Sequence, residues 1–421
     1  MPESRTEEGD ALSPVRKSDP QLAELLHAEK ERQAHTICLI ASENHTTPAV
    51  RAACASHITD KYAEGYPGAR YYGGCEVADS VEDIARERAK QLFPGMPNAN
   101  VQPHSGTTAN LEVLLALAGP GGRIVGMQLS AGGHLSHGYP MSHVGQIFDA
   151  KHYGVNEVSG LIDYDQVRNI VREHKPKVLI AGASSYPREI DYAAMAQIAR
   201  EHDALLMADI AHPAGLIAAG EMPSPVGHAD VLTMTTNKTL RGPRGGLILT
   251  TEDLSKKVNS SVFPGGQGGP LMHQIAGKAV AFGEALQEPF RHYAAAVRRN
   301  AHHLANLLIE RGLELVTGGT DSHMIVVDLR GEDVTGADVE KRGFVAGISL
   351  NKNMVPGDPR SPMVTSGIRV GTAASTTRGM GTTQMEQIAD ILTGMIRGED
   401  PESFTGQVRE LCGQFPLPDA H

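Results

Sequence analysis

Four short apolar runs constrain the fold of this chain more than anything else in it: GRIVGM (122–127), KVLIAG (177–182), ALLMADI (204–210) and DVLTMTT (230–236). Each is too short for an ordinary helix and too continuous for a half-exposed strand. Each therefore reads as a strand buried on both faces. Helical patterns stand between them, as at 164–174 and 193–202. Such alternation predicts an α/β fold with a mostly parallel central sheet and helices on both faces. Ligands of such sheets bind beyond the carboxyl ends of the strands. A helical pattern from Asp19 to His35 comes first, with Leu22, Leu25 and Leu26 on one face and Asp19-Pro20 as cap and first turn. A long helix from His292 to Arg311 leads into a second unit, with the strand MIVVDL (324–329) and a final helix near 382–397. The expected division is a disordered leader (1–18), an N-terminal arm (19–60), a large domain (61–290) and a smaller α+β C-terminal domain (291–421).

Charge and composition remove several classes of function. The formal net charge is −11 over 421 residues, with no block of basic residues, which argues against nucleic acid and anionic membrane as partners. No apolar run approaches membrane-spanning length, and the polar first residues lack the apolar segment of a signal peptide. The four cysteines (Cys38, Cys54, Cys75 and Cys412) show no CxxC pair and read as reduced thiols of a cytoplasmic protein. His134 and His137 are three apart and His302 and His303 adjacent, yet neither pair has a carboxylate or cysteine at metal spacing, so no metal site is expected.

The chemistry concentrates in TMTTNKTLRGPRGG (233–246), where an apolar strand ends in hydroxyls and then Lys238. A lone lysine is usually a solvated loop residue. At the end of a buried strand it can lose its proton and attack a carbonyl, as a Schiff-base lysine for pyridoxal phosphate must. Four further features point the same way. Ser105-Gly106-Thr107 precedes a strong helix pattern and could cup a phosphate, although an ordinary helix cap is the commoner explanation of such a triplet. Asp209 closes the strand ALLMADI, where an acid could keep a pyridine nitrogen protonated; capping a turn is as good a use for it. His134 in GGHLSHG could stack on a planar ring, and Arg369 in TSGIRVG, at the end of a short strand, could grip a carboxylate through two hydrogen bonds. The loop KYAEGYPGARYYGGCE (61–76) surrounds Glu64 with tyrosines and glycines, which makes Glu64 a candidate proton carrier.

With LIASEN (39–44), FPGGQGGPLMH (263–273) and LNKN (350–353), these residues resemble the serine hydroxymethyltransferase family over about residues 19 to 415. The resemblance implies fold type I of the pyridoxal-phosphate enzymes, the aspartate-aminotransferase type. It implies a homodimer or dimer of dimers with active sites shared across the interface. Lys238 would hold pyridoxal 5′-phosphate as an internal aldimine. Asp209 would pair with the pyridine nitrogen, His212 with the ring oxygen, and His134 would stack on the ring. Ser105, Gly106 and Thr107 would hold the phosphate, with Gly268 and Gly269 from the neighbouring subunit. Ser184 and Thr235 would line the cofactor site. Ser42 and Arg369 would hold the carboxylate of a small amino-acid substrate. Tyr62 and Tyr72 would stand at the subunit boundary and Glu64 would manage the substrate hydroxyl proton. Tetrahydrofolate, the co-substrate, would lie against Glu64, Tyr71, Leu129, Gly133 and Asn351.

Three positions depart from the family pattern. Asn237 stands where a histidine commonly precedes the lysine, Ala131 where a polar residue is frequent, and Thr107-Thr108 where a small residue and glutamine are usual. All three are expected in or just behind the cofactor site. They keep open a second activity on the same fold, a threonine transaldolase that moves the glycine unit of L-threonine to another aldehyde without folate. A non-catalytic regulatory homologue would have lost Lys238, Asp209 or Arg369, and all three are present.

Overall fold

The computed structural model describes residues 11–418. Seven strands form the central sheet: β1 (Asn98–Asn100), β2 (Arg123–Met127), β3 (Asp149–Tyr153), β4 (Val178–Gly182), β5 (Leu205–Asp209), β6 (Val231–Thr235) and β7 (Gly246–Thr250). Their spatial order is β1-β7-β6-β5-β4-β2-β3, and only β7 runs antiparallel to its neighbours. Successive residues of a strand point to opposite faces. Leu179 and Ala181 accordingly join one apolar layer, and Val178 and Ile180 the other. That double burial is why the four apolar runs carry no polar alternation.

The helices begin where short polar side chains can take their free N–H groups. Asp163 accepts from Asp165 and Gln166 and opens Tyr164–His174; Asp191 accepts from Ala194 and opens Tyr192–Arg200. Asp19 accepts the Leu22 N–H at 3.0 Å and opens Pro20–Ala34, as the sequence predicts.

A second, antiparallel sheet has the order Glu314–Leu315, Met324–Asp328, Gly367–Gly371, Asn351–Asn353. The arm is built into this unit. Ile37–Cys38 pairs in parallel with Ile348–Ser349, and Ile37 and Leu39 share an apolar cluster with Leu304, Ile325, Val370 and Leu392. Glu288–Glu310 spans both cores: Phe290, Tyr293 and Val297 pack under the large sheet, and Leu304 and Leu308 under the small one. No helix of the described residues is long and apolar enough to cross a membrane.

Three expectations need correction, and the leucine face of the first long helix is exposed. Residues 1–10 lie outside the described residues, but Ser13–Ser18 is helical rather than a disordered leader, with Pro14 in its first turn. Leu22, Leu25 and Leu26 stand 44%, 62% and 43% exposed, because no element among the described residues covers their face fully. The long helix starts at Glu288, before His292, because Pro289 fits a first turn. The helix Thr382–Ile396 is not the last, since Thr405–Gln414 follows.

Arg378, 6% exposed, closes the small unit onto the arm. Its guanidinium donates to the carbonyls of Gln33, Ala34 and Thr36 at the end of the first long helix, and to Cys412 and Phe415 at the end of the last. One positive charge thus answers two helix C-termini, whose carbonyls are otherwise unpaired. Arg378→Met should lower the unfolding free energy by roughly 3 kcal/mol, because each buried carbonyl stripped of its donor costs on the order of 1 kcal/mol or more. Urea denaturation of the two proteins measures the difference, and equal midpoints would show the clamp to be dispensable.

Candidate active site

A cavity of about 340 Å³ opens beyond the carboxyl ends of the parallel strands. Ser105, Gly106 and Thr107 reach it from the connection after β1, His134 after β2, Ser184 after β4, Asp209 and His212 from the end of β5, and Thr235 and Lys238 from β6. The arm adds Ser42 and the small sheet adds Arg369. The register explains the convergence, since Gly182 lies opposite Asp209, and Asp209 opposite Thr233. Strands in step end in step.

One end of the cavity suits an anion. Ser105 caps the helix Gly106–Leu117, its hydroxyl accepting the Thr108 N–H at 3.1 Å and lying 2.9 Å from the Thr108 hydroxyl. The first turn leaves the Gly106 and Thr107 N–H groups without intrahelical acceptors, and the helix dipole adds partial positive charge there. Gly106 lets the turn come this close to β6, because a Cβ on it would sit 2.6 Å from the Thr235 methyl.

Asp209 lies deeper, 6% exposed. Its Oδ2 accepts from His137 Nε2 and from Asn110 Nδ2, both at 2.8 Å, and Oδ1 accepts the Ala211 N–H at 3.1 Å. The His137 Nδ1 atom accepts the His134 N–H at 3.2 Å, which assigns the His137 proton to Nε2. Burial pushes the Asp209 carboxyl upward, but the His137 hydrogen bond, the electrostatic pull of the His137 and His134 rings and the Asn110 amide outweigh it and hold the group well below the usual carboxylate range. Asn110 also donates to the Ser136 hydroxyl at 2.8 Å, and that hydroxyl lies 2.7 Å from His134 Nδ1. Burial is the main reason the His134 ring is pushed down to about 4, so it is neutral, with Nε2–H as its free polar atom. A neutral ring suits stacking on another ring better than an imidazolium would.

Lys238 is 9% exposed and has no ion-pair partner among the described residues. Burial, helped by the Arg369 and Arg244 charges and opposed by Asp209, pushes its amine down to about 8. Its carbonyl accepts the Asn44 amide at 2.9 Å, which binds the LIASEN segment to the lysine turn. Arg369 sits in the middle of Gly367–Gly371, not at the strand's end as the sequence suggested. Its nitrogens donate to the Ser184 carbonyl at 2.6 Å and to the Asn351 side chain at 3.2 Å. No carboxylate meets it among the described residues, and burial pulls its guanidinium down to about 10. A half-buried guanidinium given only neutral partners can bind a carboxylate from outside the chain.

Eleven of the predicted site residues therefore line one cavity, and nine do not. Asn351 stands just behind, bonded to Arg369. Leu129 and Gly133 belong to the segment around His134 but outside the lining. Glu64, Tyr62, Tyr71, Tyr72, Gly268 and Gly269 form a separate surface cluster. Tyr62 donates to Glu64 at 3.3 Å, the Tyr62 and Tyr72 rings meet edge to face at 5.3 Å, and Gly268 and Gly269 approach Glu64 and Tyr62. Of the three departures, Asn237 and Thr107 line the cavity. Ala131 does not; it borders a separate small hollow by Gly160 and Pro187. The sequence reading missed Asn110 and His137 as holders of Asp209. The i, i+3 histidines of HLSH were visible, but only as a failed metal pattern.

The serine hydroxymethyltransferase family model matches residues 15–392 of the 421. The chain belongs to this family of pyridoxal-phosphate-dependent transferases. The cavity fits that cofactor: a helix N-terminus for the phosphate, an ionised acid held by hydrogen-bond donors for the ring nitrogen, a neutral imidazole for the ring face and a depressed lysine for covalent attachment.

The lysine carries a pH signature. A neutral amine is the nucleophile, and an amine held at about 8 is mostly neutral above that pH and protonated below it. Attachment of pyridoxal phosphate to the ligand-free protein, trapped with borohydride, should rise through a midpoint near pH 8. A midpoint near the ordinary lysine value, about 10.4, would contradict the assigned environment.

Proposed function

We propose that this member of the serine hydroxymethyltransferase family interconverts L-serine plus tetrahydrofolate with glycine plus 5,10-methylenetetrahydrofolate, using pyridoxal phosphate carried covalently on Lys238. The reading rests on one observation above the rest: a carboxylate-free Arg369 shares a buried cavity with a depressed Lys238. That pair suits an α-amino acid, with its carboxylate on Arg369 and its amine near Lys238.

In this reading Arg369 and Ser42 bind the substrate carboxylate and so orient the bonds at Cα. The cofactor supplies an electron sink for the bond that breaks there. Asp209 keeps the ring nitrogen protonated, and His137 and Asn110 keep Asp209 ionised. His134 covers the ring and limits water. Glu64 takes the proton of the serine hydroxyl as the Cα–Cβ bond opens and returns it in the reverse direction. Glu64 acts from a second copy of the chain, because it lies outside its own Lys238 cavity. The exposed Tyr62, Tyr71 and Tyr72, and the uncovered leucines of the arm, support that assembly.

Asn237 supports a second reading. It lines the cavity, and its amide has no hydrogen bond among the described residues, so a neutral polar group stands free beside the substrate. A threonine transaldolase delivering the glycine unit to an acceptor aldehyde would suit such a site.

The deciding assay is methylenetetrahydrofolate formation from L-serine and tetrahydrofolate by the loaded protein. Turnover establishes the first reading; its absence, with aldehyde-dependent consumption of L-threonine, establishes the second. Arg369→Lys should raise KM for the amino acid about tenfold to a hundredfold, since a bidentate charged contact is worth roughly 1.5–3 kcal/mol. An unchanged KM would remove Arg369 from the carboxylate site. Lys238→Ala and Glu64→Gln should each be nearly inactive. When they are mixed through a cycle of dissociation, about a quarter of wild-type activity should return, because half of random dimers are mixed and each carries one intact site. No recovery would put Glu64 in its own chain's site.

A further inference from the structure

His212 and His323 form a buried pair that the roles above leave half explained. They are 3% and 0% exposed. Their rings lie nearly parallel, 20° apart with centroids at 5.5 Å, and the His212 Nδ1 atom is 3.4 Å from His323 Nε2. The same His323 nitrogen is 3.1 Å from the carbonyl of Ala41, the residue before Ser42. His323 Nδ1 is buried and has no partner among the described residues.

These contacts admit one proton arrangement. The Ala41 carbonyl only accepts, so His323 Nε2 must carry hydrogen. The orphan Nδ1 is then a lone pair, which is less costly to bury than an unpaired N–H. Burial, opposed by the Ala41 carbonyl, pushes the His323 ring down to about 3, so it holds no second proton. With hydrogen already on His323 Nε2, the facing His212 Nδ1 has to accept. Burial first, and then the charges of Lys238 and Arg369 and the electrostatics of the neighbouring His323 and His134 rings, push His212 well below its ordinary value, so it is neutral as well. Its proton therefore sits on Nε2. Both backbones are pinned: the Thr239 hydroxyl donates to the His212 carbonyl at 2.7 Å, and the Thr372 N–H to the His323 carbonyl at 3.0 Å. Ala41 is held by the close passage of Gly371, where a Cβ would lie 2.6 Å from the Ala41 Cα.

We infer that His323 is a positioning residue that fixes the tautomer of His212, so that His212 offers the Lys238 cavity a hydrogen-bond donor and never an acceptor. Through Ala41 the same histidine ties that donor to the segment carrying Ser42. An acceptor at this point would repel an ionised oxygen on a bound ring, whereas a donor stabilises it. The consequence for bound pyridoxal phosphate rests on the function proposed above; the tautomer itself does not.

The test uses the full chain with His323→Phe, which keeps an aromatic ring without nitrogens, and His323→Gln, which keeps an N–H. In ligand-free protein labelled with 15N-histidine, His212 should be the Nε2–H form in the wild type and a mixture in the Phe variant. In protein loaded with pyridoxal phosphate, the pH midpoint of the cofactor absorbance should rise by about one unit in the Phe variant, the effect of one charge-assisted hydrogen bond, with the Gln variant close to wild type. An Nδ1–H form of His212 in the wild type, or a Phe variant that folds and matches the wild type in both readouts, would overturn the inference. If the Phe variant does not fold, the wild-type 15N spectrum still decides. A wild type that takes up no pyridoxal phosphate but shows the Nε2–H form would sink the proposed function and leave the positioning role standing.

Discussion

The site depends on a carboxylate that stays charged while almost wholly removed from water. Burial alone would neutralise Asp209, and a neutral acid could not hold a proton on a pyridine nitrogen. Three donors oppose this, from His137, Asn110 and the Ala211 amide, with the electrostatic pull of the His137 and His134 rings beside them. The surrounding contacts follow from keeping those donors aimed: Ser136 holds Asn110 and His134, and the His134 backbone fixes the ring of His137.

At the other side of the cavity Lys238 is buried and Arg369 half-buried, with no acid bonded to either among the described residues. Two desolvated cations and one desolvated anion are costly in the empty protein. A ligand that brings a phosphate, a protonated ring nitrogen and a carboxylate offsets all three costs together. The fold tolerates the arrangement because the large apolar cores on either side of the sheet supply stability elsewhere. The histidine pair behind the site follows the same logic, since both rings are kept neutral by burial and so direct protons instead of holding charge.

The local pattern was legible where it is set by local physics. Tyr164–His174 was readable from its period, and Pro20–Ala34 from its aspartate cap, because capping and amphipathic burial act within a few residues. The leucines of the arm show the limit: their period predicts a helix but not what covers it, and among the described residues they stay largely uncovered. Arg369 was recognisable as a carboxylate grip, yet its place in mid-strand depends on pairing with Asn351 and Val326, which are remote in sequence.

By itself the sequence determined the alternation of buried strands and helices, the lysine at a strand's end, the glycine and hydroxyl turn before a helix, and the acid closing β5. Those features are written in neighbouring residues, so reading them requires no folding. Only the tertiary structure decided which of them meet. It drew eleven candidates into one cavity, held Glu64 and its tyrosines apart from it, and enlisted His137, Asn110 and His323 as partners that no local pattern marks. The physical reason is that strand register and the packing of the arm against the small sheet set distances between residues up to hundreds of positions apart, and a hydrogen bond or a desolvated charge responds to distance in space rather than along the chain.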